Sequence, residues 1–145
     1  VPVDFKNALV IPQCRGRVNL IFLSNIILEK GIFDLLDALD KINDDLNVTL
    51  RVYGEFHSQE IRNKFFSRVD LNENVIYGGV IFGDCKYRAL RASDAFILPS
   101  HNEGQPISII EAMSMGLPII TTRVGLISEM LPSGYPLVSQ PHDVN

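Results

Sequence analysis

Short, nearly continuous apolar runs alternate along this chain with amphipathic stretches, and that alternation restricts its fold more than any other feature. Residues 18–24 (VNLIFLS) are apolar almost throughout, the pattern of a strand buried on both faces of a parallel sheet. After the turn IILEKG, residues 32–42 place Leu35, Leu36 and Leu39 on one face of a helix. Residues 47–54 read as a second strand, 58–69 as a more polar helix, 74–79 as a third strand and 85–92 as a helix over the sheet. Then follow a buried strand at 94–99, a helix at 107–115, a strand at 118–122, a short helix at 126–131 and a sixth strand at 135–139. Regular alternation with short connections implies an α/β domain with a parallel, doubly wound, Rossmann-like sheet. In such sheets ligands bind outside the carboxyl ends of the strands. The loops IILEKG, GVIFGD and SHNEGQP, after the first, third and fourth strands, are therefore where chemistry is expected.

Size and charge narrow the partners. A chain of 145 residues matches one compact domain with its own core. Its 13 basic and 17 acidic residues give a net charge of −4, which argues against a broad surface for nucleic-acid phosphates. Cys14 and Cys85 are too few and too far apart for a disulfide framework or a cysteine metal cluster, so both read as reduced thiols. No apolar run approaches the roughly 18 residues of a membrane span. The opening VPVDFKNALV has no basic segment followed by an apolar one, as an export signal requires. A cytoplasmic location is the expectation. The missing initiator Met and the ending PHDVN read as a piece of a longer protein.

SHNEGQP is the most informative loop. A proline at the first helical position costs no hydrogen bond, so Pro106 marks a helix start with Gln105 as its N-cap. Gln is a poor cap, which leaves the amides of Ile107 and Ser108 without a side-chain acceptor. A phosphate suits those amides and the positive end of the helix dipole, and Gly104 would let it approach the backbone. Glu111 lies one turn beyond Ile107 on the same side of the helix, while Ile109, Ala112 and Met113 suit its packing side. Glu103 and Glu111 thus bracket the helix start, one placed to bond sugar hydroxyls and the other a ribose diol. The same spacing also describes a surface acid at a helix N-terminus and a second acid on a solvated face.

The run ASDAFILPSHNEGQPISIIEAMSMGLPIITTRVGLISEML, residues 92–131, closely resembles the carboxyl-terminal domain of glycosyltransferase family 4, enzymes of the two-domain GT-B fold. Glu103 and Glu111 match its E-x7-E signature. LIFLSNIILEKG resembles the family's first strand and phosphate-binding loop, and NVIYGGV its nucleobase strand. The likeness extends over residues 18–139. It implies that Glu103 faces the donor sugar, that Glu111 binds the ribose, and that Gly104, Gln105, Pro106 and Ile107 contact sugar and phosphate through the backbone. Lys30 matches the diphosphate-binding lysine, which neutralises the leaving group, and base contacts fall at Val80 and Ile81.

Two departures stand out. Ser24 and Asn25 occupy the usual Gly-Arg positions, so one guanidinium is missing, and EGQP replaces EGFG where the donor sugar is contacted. The implied activity is retaining transfer of a sugar from a nucleoside diphosphate to an acceptor hydroxyl, in polysaccharide or glycoconjugate synthesis. Lys30 and Glu103 are the catalytic candidates, and the nucleoside-diphosphate sugar is a substrate rather than a cofactor. No metal is implied, since His57, His101 and His142 are scattered along the chain and show no ligand spacing. His101 reads as an exposed loop histidine and Lys30 by itself as an ordinary surface lysine; Glu129 resembles a family position just after the fifth strand and reads equally well as a helix carboxylate on a solvated face. Residues 1–17 are expected to be an interdomain linker and 18–145 the nucleotide-sugar-binding domain. The acceptor domain would precede them, and the 145-residue domain alone is expected to be inactive. Any membrane association would come through that missing half. A nucleotide-sugar-binding module without catalysis, or a GT-B epimerase, uses the same fold.

Overall fold

The computed structural model describes residues 16–42 and 47–143, so Cys14 and most of the expected linker lie outside the described residues. The strands are β1 (Val18–Leu23), β2 (Val48–Tyr53), β3 (Val75–Tyr77), β4 (Ala95–Leu98), β5 (Ile119–Thr122) and β6 (Val138–Ser139). The helices are α1 (Ile32–Lys41), α2 (Gln59–Val69), α3 (Gly83–Arg91), α4 (Ile107–Ser114) and α5 (Ile127–Met130), with a 3₁₀ turn at Leu28–Lys30.

All six strands pair in parallel, in the order β3-β2-β1-β4-β5-β6. The chain winds outward from β1 to β3, returns to place β4 beside β1, and winds outward again. That reversal puts the topological switch point between β1 and β4, where a doubly wound sheet parts its loops and leaves a crevice. The two central strands carry the most apolar sequence because both their faces are covered. Leu20 to Leu23 and all four residues of β4 are buried.

The helices follow the apolar periodicity. In α1, Ile32, Leu35 and Leu36 are buried and Leu39 packs beside them. In α2, Ile61, Phe65 and Val69 recur at helical spacing, and Ser58 caps the start by accepting the Ile61 N–H at 3.2 Å. Phe56, Phe65, Phe66 and Tyr77 form one aromatic cluster with ring centroids 5.0–6.1 Å apart, so these rings serve packing.

Three local expectations change. Helix α3 begins at Gly83, two residues earlier than read, and buries only Leu90. Met113 is 42% exposed. The buried stripe of α4 is Ile109 and Ala112, and the next apolar contacts come from Met115 and Leu117 beyond its end. Tyr135 does not join β6. Its hydroxyl accepts the Ile119 N–H at 2.8 Å, where β5 starts immediately after Pro118.

Candidate functional site

A cleft of about 470 Å³ opens at the carboxyl ends of the central strands. It is lined by Leu23 and Ser24 at the end of β1, Tyr53 and Gly54 at the end of β2, Val80, Ile81 and Phe82 ahead of α3, and the start of α4. Ser24, Asn25, Lys30, Val80, Ile81, Glu103, Gln105, Pro106, Ile107 and Glu111 all line it. Gly104 does not. It is exposed beside the cleft, and a Cβ there would meet nothing within 4 Å.

Helix α4 starts at Ile107, as its apolar run reads, so Pro106 is not its first helical residue. Pro106 is itself the N-cap, with φ −78° and ψ 86°, and Gln105 precedes it. Proline has no side-chain acceptor, and its fixed φ and the restriction it places on the preceding residue suit the last non-helical position. Pro106 O takes the Ile109 N–H at 3.0 Å. Among the described residues no acceptor meets the N–H of Ile107 or Ser108, and both residues line the cleft. The helix therefore presents open donors and its positive dipole end to the cavity.

Two lysine–glutamate pairs face this terminus. Lys30 Nζ lies 2.5 Å from Glu103 Oε1, and Lys86 Nζ lies 2.8 Å from Glu111 Oε1. Glu103 is no surface acid: its side chain is 4% exposed against 21% for Lys30. Ser100 Oγ donates to the same Glu103 oxygen at 2.7 Å, so a cation and a hydroxyl hold the buried carboxylate.

Glycine backbones make that pairing reachable. Gly31, at φ 72°, ends the 3₁₀ turn that carries Lys30. A Cβ there would fall 1.9 Å from the Pro99 carbonyl oxygen, so only glycine lets the turn lie against the end of β4. Gly125, at φ 50°, likewise admits the loop after β5 to the Glu103 backbone, where a Cβ would fall 1.8 Å from the carbonyl oxygen. The Tyr77 hydroxyl, outside the cleft lining, donates to Gly54 O at 2.8 Å. Burial, its largest influence, pushes that hydroxyl up from the usual tyrosine range, so it remains a donor.

Lys86 and Ser100 were not among the residues read from the sequence. Lys86 stands on a polar helix with no local signature, and its role appears only when α3 and α4 are set side by side. The histidines also need correction. His57 is exposed away from α4, but His101 Nε2 lies 2.7 Å and His142 Nδ1 3.1 Å from Asp34 Oδ2. His101 is thus a bonded, part-buried group outside the cleft, and two of the three scattered histidines meet at one carboxylate.

Sheet order, with a helix starting at the switch point, defines a Rossmann-like domain. The model of the family glycosyl transferases group 1 matches residues 17–145, and the chain belongs to that family. It is similar to the sulfoquinovosyl transferase of Arabidopsis thaliana, 27% identical over 113 residues that take in 78% of this chain and 21% of that protein. Among solved structures, Anabaena Alr3699/HepE in complex with UDP-glucose matches with a TM-score of 0.76 at 22% identity, over 87% of this chain and 35% of that one. The C-terminal domain of the group 1 glycosyl transferase LpcC from Francisella tularensis matches with a TM-score of 0.67 at 22% identity, over 88% and 69%. The fold is that of the Rossmann-like halves of GT-B glycosyltransferases. The chain spans 21–33% of the length of the first curated relatives it matches. No helix among the described residues is long and apolar enough to cross a membrane.

Proposed function

We propose that the cleft binds a nucleoside-diphosphate sugar and that the domain is the carboxyl-terminal, donor half of a retaining glycosyltransferase. The observation that carries this reading is the open start of α4 flanked by two lysine–glutamate pairs. The diphosphate lies over the Ile107 and Ser108 amides, and Lys30 turns from Glu103 to its oxygens. As the bond from the anomeric carbon to the diphosphate breaks, the Lys30 ammonium and the helix terminus stabilise the charge gathering on the leaving group. Glu103, released from Lys30 but still bonded to Ser100, accepts hydrogen bonds from donor-sugar hydroxyls. Glu111, held in place by Lys86, accepts from the ribose diol, while Val80 and Ile81 border the base. Lys86 supplies the second positive charge that Asn25 does not. No step in this scheme uses a metal ion.

The acceptor would enter from a second domain of the same protein, so the chain alone should bind donor without transferring sugar. The whole enzyme would work in the cytoplasm on polysaccharide or glycoconjugate, reaching a membrane only through that second domain. Calorimetry with UDP-, GDP- and ADP-sugars tests the reading, beginning with UDP-glucose because HepE was solved with it. One nucleotide class should bind, and Glu111→Gln should weaken it by about tenfold or more through loss of a charge-assisted hydrogen bond. Absence of binding at millimolar donor, in this chain and in the longer protein, would overturn it. So would sugar transfer by the isolated chain.

A further inference from the structure

Asp34, His101 and His142 come from three separate parts of the chain. Asp34 stands in the first turn of α1, His101 in the loop after β4, and His142 in the turn after β6. One potential ligand atom from each lies within 4.8 Å of the others. Asp34 Oδ2 is 2.7 Å from His101 Nε2 and 3.1 Å from His142 Nδ1, and the two imidazole centroids are 3.8 Å apart. Tetrahedral ligands on a zinc ion stand about 3.3 Å apart, given bonds of about 2.0–2.1 Å. The three atoms therefore need only small displacements to close on one ion.

The backbone holds this convergence at both histidines. The His101 N–H donates to Glu29 O at 2.7 Å, and the neighbouring Ser100 carbonyl accepts from Thr122 Oγ1. His142 has φ 63°, the only positive φ at a non-glycine among the described residues. Its side chain is 67% exposed, so packing does not hold it in that sparsely populated conformation; the contacts to Asp34 and His101 are what it gains there. That exposure also leaves one side of the cluster open to solvent, where a fourth ligand or water can complete the shell.

We propose that Asp34, His101 and His142 form a binding site for a divalent transition-metal ion of the zinc type. Two imidazole nitrogens and one carboxylate oxygen favour zinc, cobalt or nickel over magnesium or calcium, which take oxygen shells. None of the three residues lines the donor cleft. The site is thus structural: it ties the turn after β6 and the first turn of α1 to the loop whose Glu103 lines the donor cleft. It stands independently of what that cleft binds.

The test uses tag-free, chelator-treated protein titrated with Zn²⁺ by calorimetry and with Co²⁺ by visible absorption. Zinc should bind with a stoichiometry of about one and raise the melting temperature, whereas Mg²⁺ should do neither. Cobalt should show the intense d–d bands of a tetrahedral site without thiolate charge transfer. His142→Ala removes an exposed side chain and should leave the fold intact. It should weaken zinc by at least the roughly 10–100-fold that loss of a supporting partner costs, as should His101→Ala. His57→Ala should change nothing. Failure of Zn²⁺ to bind saturably, retention of its affinity in His142→Ala, or a cobalt spectrum with thiolate bands from Cys85 would each overturn the proposal.

Discussion

Replacing Lys30 by methionine shortens the side chain by one heavy atom and removes its charge, leaving the Glu103 carboxylate buried beside the Ser100 hydroxyl alone. At 2.5 Å the pair gains about 7 kcal/mol of gross attraction at an effective dielectric near 20, most of it offset by desolvation. Breaking a fully buried pair by deleting one partner costs about 3–5 kcal/mol. Lys30 is one-fifth exposed and Glu103 keeps its bond from Ser100, so the cost here should be lower, about 2–3 kcal/mol at neutral pH. For a chain of this size that corresponds to a fall in melting temperature of roughly 6–10 °C. Lys30→Met combined with Glu103→Gln should recover most of the loss, because a neutral amide still accepts from Ser100 and carries no unpaired charge. Circular dichroism melts and urea titrations of the two single variants and the double variant form a complete cycle. The electrostatic account of the site is refuted if Lys30→Met costs less than about 0.5 kcal/mol, the scatter of ordinary surface changes. It is equally refuted if the double variant is no more stable than Lys30→Met.

Two further outcomes concern the scaffold. Gly31→Ala should destabilise the domain by more than about 3 kcal/mol or prevent folding, because its Cβ would collide with the Pro99 carbonyl at a positive φ; Gly104→Ala, which meets nothing, should stay within about 0.5 kcal/mol, and parity of the two in a thermal melt would contradict the geometry. Tyr135→Phe should cost about 1–2 kcal/mol by leaving the part-buried Ile119 N–H without its acceptor, read by urea denaturation, and an unchanged midpoint would mean that water replaces the hydroxyl.

How much was legible in the sequence follows from the range of each interaction. Local periodicity carries α1, α2 and the two central strands, since spacings of two and of three to four residues record which side chains face the core. It placed the element centres and slipped at the edges. Tyr135 looked like a strand residue, and only its bond across 16 residues to Ile119 gives it a different task. The cap of α4 moved from Gln105 to Pro106 because Pro106 satisfies both the last non-helical and the first helical position on local grounds, and packing chooses between them. Glu103 and Glu111 were visible through their spacing and their resemblance to a known signature. Lys86 had neither.

The sequence by itself determined the α/β class, the family and the helix that starts between Glu103 and Glu111, because those depend on short-range pattern and on residues close together in the chain. The tertiary structure decided which charges meet. Lys30 reaches Glu103 across 73 residues, Lys86 reaches Glu111 across 25, and His101 meets Asp34 across 67. Each contact exists because the sheet reverses its winding between β1 and β4, which brings loops distant in sequence to the same edge. Burial of one carboxylate and the gathering of two histidines around another are consequences of that order, and no local spacing encodes them.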